Sequence, residues 1–232
     1  MNPSDDESKP TVVPLSASAR RVLGVLVEKA KTTPDNYPLS LASIITASNQ
    51  KSNRSPKMDL DEDDALIALD ELRNVGAARE VQGNGRVIKY RHAAYEWMDI
   101  DGPGSAVMTE LLLRGPQTAG EIRTRASRMH NLPDLETAKA VIDGLIEKKL
   151  IEPLTPAGRG QLFTHTLYPP QDRQYLLEKI NKEAPTPARA TSPKDAKSEV
   201  DQLLSRLDSV NERIQQLEKR ITMLEGPNAQ KN

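Results

Sequence analysis

Apolar positions in the first third of the chain recur every three or four residues, in blocks separated by polar turns. Ala19, Val22, Leu23, Leu26 and Ala30 predict a core helix over 15–31, with Ser16 as its cap. Residues 32–36, with Pro34, form a turn. The stretch 37–60 organises its surroundings. It predicts a short extended lead-in, then a small helix capped by Ser40 with Leu41, Ile44 and Ile45 on one face. A stop near Asn49 follows, and a long polar loop that Pro56 keeps from helix. A third helix opens at Asp61, where Asp64 completes a capping box. It buries Ala65, Ala68, Leu69 and Leu72 before Gly76 ends it. Two β-prone runs, 78–82 and 86–92, are joined through Gly83-Asn84-Gly85, a hairpin signal.

The pattern then repeats. A helix over 105–114 is closed by Gly115, and Thr118 with Glu121 forms a capping box opening a helix to about residue 129. Asp134 opens the next, with Leu135, Ala138, Val141, Ile142, Leu145 and Ile146 on its apolar side. Runs 151–154 and 161–167 flank a turn over 155–160. Leu69-Asp70-Glu71-Leu72 corresponds to Ile142-Asp143-Gly144-Leu145, which argues for two copies of one unit. The expected fold is mainly α with small β-hairpin wings, an α+β class. Tandem winged-helix domains span 15–100 and 101–170, after a disordered tail over 1–14. The joining segment 93–104 carries Trp97, which with Tyr95 either wedges between the domains or packs locally. A linker over 171–197 has a short helical pattern on Tyr175, Leu176, Leu177 and Ile180.

The sharpest periodicity comes last, in a coiled coil over 198–226 ahead of a tail over 227–232. Val200, Leu207, Ile214 and Ile221 take a positions; Leu203, Val210, Leu217 and Leu224 take d positions. Arg213 and Arg220 at g face Glu218 and Glu225 at e in a parallel pairing. β-branched a positions favour a dimer. Arg213-Ile-Gln-Gln-Leu-Glu218 and Arg220-Ile-Thr-Met-Leu-Glu225 resemble a motif associated with parallel trimers, so a homo-oligomer of two or three strands is expected. The alternative is a solitary helix packing back on the globular part.

Composition narrows the function. The 232 residues carry a formal net charge of -1, and aromatics are 3%, which leaves few rings for stacking bases. Cysteine is absent, which excludes disulfides and thiolate metal sites and points to a reducing cytoplasm. No apolar run approaches the roughly 20 residues of a membrane span. The polar, acidic N-terminus has no signal-peptide core. His92, His130 and His165 fit no metal-ligand spacing. No phosphate-cradling Gly-rich loop or nucleophile elbow is present, so neither catalysis nor a cofactor is expected.

Two partners remain, double-stranded DNA or another protein. A winged helix places its third helix in the major groove. Here that helix brings Asp61, Glu62, Asp63, Asp64, Asp70 and Glu71 toward phosphates spaced about one charge per 1.7 Å. Candidate phosphate contacts lie elsewhere: Lys51, Arg54 and Lys57 in the loop, and Arg86, Lys89 and Arg91 in the first wing. In the second domain they are Arg123, Arg125 and Arg128 near the second helix, and Arg159 in the wing. Each is equally ordinary solvated surface. The amides of Asn49, Gln50 and Asn53 have the chemistry to read adenine, or to satisfy their own loop. DNA binding linked to transcription is the expected role, with several copies coupled through the tail. The alternative is a docking module of the kind that binds a kleisin subunit in chromosome segregation.

Several stretches together resemble the bacterial YceH-like family, a family of unknown function. They are Leu26-Val-Glu-Lys29, Thr32-Thr-Pro34, Tyr37-Pro-Leu-Ser40, Ala47-Ser-Asn-Gln-Lys-Ser-Asn-Arg54, Pro56, Met58, Leu112-Leu-Arg-Gly115, Gln117-Thr118, Gly120-Glu121 and Ala126-Ser-Arg-Met129. The resemblance spans 15–167 and implies a tandem winged-helix fold without an established activity. Some relatives carry Cys where this chain has Ser48. The heptad tail lies outside the shared region.

Overall fold

Helix α1 (Ala17–Thr32) begins where the serine signal placed it, with the Ser16 side chain accepting from the Ala19 N–H. It is the first element of a computed structural model that describes residues 12–82 and 87–183. A 3-10 turn (Pro34–Asn36), strand β1 (Leu39–Ser40), helices α2 (Leu41–Ser48) and α3 (Glu62–Asn74), and strands β2 (Ala78–Val81) and β3 (Lys89–His92) complete the first half. A short helix α4 (Ala94–Met98) leads into the second half. There, α5 (Gly102–Arg114), β4 (Gln117–Thr118), α6 (Ala119–Ala126), α7 (Leu135–Glu147), β5 (Ile151–Pro153) and β6 (Leu162–His165) repeat the order, and α8 (Pro170–Glu183) follows. Among the described residues this is a mixed α+β chain of eight helices and two small antiparallel sheets, ordered β1-β3-β2 and β4-β6-β5.

The caps account for most boundaries. Ser40 caps α2, Asp61 and Asp64 form both bonds of a capping box on α3, and Thr118 and Glu121 do the same on α6. Gly76, at φ +80°, takes the left-handed position just past α3. Two boundaries differ from expectation. Helix α5 starts at Gly102 rather than residue 105, because the Asp101 carboxylate accepts from the Gly104 N–H and Pro103 suits a first turn. Helix α6 stops at Ala126 rather than near residue 129. The Ser127 hydroxyl donates back to the Arg123 carbonyl, and the Met129 N–H closes a tight turn on Ala126.

Helix α1 is buried nearly all round. Beyond the expected stripe, Val25, Val27, Arg20, Arg21 and Glu28 are also covered, while Ala30 is only half-buried. The cause is α5, which packs on α1 opposite α2 and α3 and presents Val107, Met108, Leu111 and Leu113 to the core. The helices meet closely at Gly24. A Cβ there would sit 2.9 Å from Leu113 Cδ2. One hydrophobic cluster therefore runs from Leu15 to Leu167 through both halves, with Trp97 wholly buried in it. Val12 and Val13, expected in the polar tail, pack against the same cluster, and the Leu15 N–H donates to the Leu167 carbonyl at 3.0 Å. Leu135 departs from its expected place on the apolar side of α7. It lies in the first turn and is 42% exposed.

The chain divides into two units, 1–178 and 179–232, and of the second only residues 179–183 are described. The predicted coiled coil, its seam from Val200 to Leu224, the linker beyond residue 183, the turn at Asn84-Gly85 and Arg86 all lie outside the described residues.

Candidate interaction surfaces and a buried charge network

Helix α3 buries Ala65, Ala68, Leu69 and Leu72, as its period requires, and this fixes what it shows outward. Asp63, Ile67 and Asp70 share the outer face at four- and three-residue spacing, with Leu66 beside them. Ile67 is 68% and Leu66 37% exposed. The acids of the first turn serve the helix N-terminus, and Glu71 accepts from the Ser16 backbone N–H at 2.8 Å.

Of the ten candidate phosphate contacts, Arg54 proves to be interior, and Arg128, still partly exposed, is tied to the same buried carboxylate. The Arg54 side chain has no exposed surface. Both of its terminal nitrogens donate to Glu28, Nη1 to Oε1 at 3.1 Å and Nη2 to Oε2, and its Nε donates to the Ala47 carbonyl. Arg128 reaches the same carboxylate, with Nη2 2.6 Å from Glu28 Oε1 and 2.9 Å from Glu110 Oε1. Arg54 is therefore no surface cation, whereas Arg128 is paired with 34% of its side chain still exposed. An arginine at the end of a polar loop is drawn inward because an unpaired buried carboxylate would be prohibitive. The Arg114 Nε lies 3.0 Å from Glu110 Oε2, an ion pair not aligned as a hydrogen bond. Arg21 completes the group by donating to the carbonyls of Ser48 and Pro56 at 3.0 and 2.6 Å.

Four guanidiniums thus surround two buried carboxylates, and backbone carbonyls from 47–56 solvate the excess positive charge. Burial pushes the Glu28 carboxyl upward, but pairing with Arg54 and Arg128 outweighs it and holds the group below the ordinary range. Burial, with Arg54 nearby, lowers Arg21 to about 10, so it stays charged at neutral pH.

The amides of the 49–60 loop serve the fold. The Asn49 side chain donates to the Leu60 carbonyl and accepts from the Leu60 N–H, both at 2.8 Å. Asn53, at φ +61°, accepts from Arg114 Nη2 at 2.6 Å, and the Ser55 N–H donates to the Leu113 carbonyl of α5. The stretch 47–54 is therefore the clasp that seals α1 and α5 around their charges.

The remaining cations are placed differently. Lys51, Lys57 and Arg159 are exposed, as are Lys89 and Arg91 on one face of β3, where Tyr90 between them turns inward. Arg123 donates to the Pro133 carbonyl; Arg125 is held by Gln117 and Glu121. The histidines fit no metal-ligand spacing, yet two of them occupy matching places. His92 ends β3 opposite Ala78, and His165 ends β6 opposite Ile151. In each the ring Nδ1 accepts from the N–H two residues on, and the tyrosine three residues on, Tyr95 or Tyr168, contacts the ring. Burial holds both imidazoles neutral, lowering His92 to about 4 and His165 to about 3. The spacing shared by this His-x-x-Tyr pair and the Leu69/Ile142 repeat was readable in the sequence.

Comparison with known proteins identifies similar sequences. A family profile described as "Protein of unknown function, DUF480" matches residues 15–158. The chain is 64% identical over 204 residues to a UPF0502 protein of Rhodopirellula baltica, covering 86% of this chain and 85% of that one. It is 44% identical over 159 residues to a UPF0502 protein of Koribacter versatilis, covering 67% and 74%. A relative from Pelobacter propionicus is 48% identical over 159 residues. The first alignment is long enough that it runs past Leu167, where the resemblance seen in the sequence ended.

Proposed function

The chain belongs to the DUF480 family, described as of unknown function, and we propose that it is a cytoplasmic, non-enzymatic adaptor that docks on a partner protein through the outer face of α3. In this reading each half is a winged helix, with α1, α2 and α3 followed by the β2–β3 wing and then the same order from α5. The tail from 198 to 226 couples two or three copies in parallel.

One observation carries the choice. The helix that a DNA-binding winged helix lays in the major groove shows Asp63, Ile67, Leu66 and Asp70 outward, the last paired with Arg73, a face more acidic and apolar than basic. Such a face repels phosphate and offers apolar surface for burial against a protein. Double-stranded DNA is the second reading, favoured by Lys89 and Arg91, exposed on the same face of β3 and without an ion pair among the described residues.

Fluorescence anisotropy of a labelled mixed-sequence duplex at two salt concentrations separates the readings. Docking requires no salt-dependent duplex binding, together with co-purifying proteins that are lost from an Ile67→Lys variant. Duplex binding that falls steeply with salt, and weakens when Lys89 and Arg91 are replaced by Ala, would hand the function to DNA.

A further inference from the structure

A groove of about 600 Å³ opens between the end of α1, the 3-10 turn, β1, the outer face of α2, and β3. Lys29 and Lys89 line it, and neither is ion-paired among the described residues. Asp35, Asn36 and Gln50 supply a carboxylate and two amides, Ser40 and Ser43 add hydroxyls, and no aromatic ring is present in the lining.

The second half of the chain is an internal control for what the fold itself requires. Ser40 pairs with Lys89 across β1 and β3, while at the matching place Thr118 pairs with Leu162 across β4 and β6. The third residue of the following helix is Ser43 in the first half. In the second it is Glu121, whose carboxylate accepts from the Thr118 N–H. Gly115 and Pro116 alone connect α5 to β4, where the first half inserts the 3-10 turn that forms a groove wall. The same architecture therefore stands without a lysine on the strand, without a serine in the helix and without the wall. All three departures fall on one cavity. They replace an apolar residue by a cation and remove an internal anion from the helix, while the added wall brings in Asp35.

We propose that this groove binds a phosphorylated sugar or polyol. Two ammonium groups hold a phosphate as point charges. Asp35 accepts from ligand hydroxyls, and the amides of Asn36 and Gln50 both donate and accept. The volume falls within the about 300–1,000 Å³ of small-molecule sites. The ring-free lining disfavours a nucleobase, which gains its affinity by stacking. None of the α3 docking face lines the groove, so this site stands apart from the proposed function.

The test is amide NMR of the full chain titrated with ribose 5-phosphate, ribose and inorganic phosphate at constant ionic strength. The expected result is a saturable shift confined to residues around Ser40, Ser43 and Lys89. Affinity for ribose 5-phosphate should exceed that for either fragment by about tenfold or more. Lys89→Leu copies the residue at the matching place in the second half, so it should fold, and it should abolish the shift. The site is overturned by the absence of saturable shifts up to about 10 mM, by shifts that survive Lys89→Leu, or by inorganic phosphate acting as strongly as the sugar phosphate. A duplex oligonucleotide that moves these residues when ribose 5-phosphate does not would also overturn it, assigning the lysines to backbone phosphates.

Discussion

A carboxylate with 3% of its side chain exposed persists as an anion in the core only because two guanidiniums reach it. Glu28→Gln would leave Arg54 with a neutral partner and Arg128 with Glu110 alone. It should cost about 3–5 kcal/mol of unfolding free energy, read by urea titration. The same residue sets an acid limit. A carboxylate whose pKa is lowered by folding contributes stability above the unfolded value, and that stability is lost as pH falls through the folded value. The histidines act in the same direction and earlier. His165 falls from 6.5 to about 3 on folding, so its contribution is intact above 6.5 and drains away as pH drops toward 3. His165→Asn keeps an acceptor for the Leu167 N–H and should flatten the stability profile between pH 6.5 and 3, measured by thermal melts at a series of pH values. At this scale little was legible in advance. Neither the burial of Arg54 nor the pairing of Arg128 is legible, because their partners, Glu28 and Glu110, lie on helices whose burial no local pattern declares.

Helices were legible wherever a cap and an apolar period agreed. Ser16, Ser40, Asp61, Thr118 and Asp134 each accept from a first-turn N–H, and α3 buries the four residues its spacing selects. Asp61→Ala should therefore cost about 1 kcal/mol in thermal or urea unfolding. Burial on every side of α1 was not legible, because Arg20, Arg21 and Glu28 make one face look solvated. The structural reason is α5, and Gly24 is the position that lets it approach. A methyl group there meets Leu113 at 2.9 Å inside a packed core. Gly24→Ala should destabilise by about 1–3 kcal/mol despite the better helix propensity of alanine. A stabilised variant would mean that Leu113 finds another rotamer, and that the closeness of α1 and α5 is not a constraint.

At the scale of the whole molecule, docking strength depends on how many α3 faces one assembly presents. A single α3 face, with Ile67 and Leu66 as its apolar content, is a small surface for a stable protein complex. Copies joined through a parallel coil would make the second contact intramolecular and raise avidity without any new contact in the face itself. The heptad from Val200 to Leu224 supplies the means in sequence. Truncation after residue 197 should thus reduce the mass found by light scattering to that of one chain. It should also weaken capture of a two-site partner far more than capture of a one-site partner, because only the former gains from linkage. Where the tail only couples copies, the chain truncated there should melt at nearly the temperature of the full chain, since the core described from Leu15 to Leu167 stays whole. An unchanged mass would remove the coil from the proposal and leave each α3 face to bind alone. A reduced mass with equal loss for both partners would show that the tail touches the partner directly.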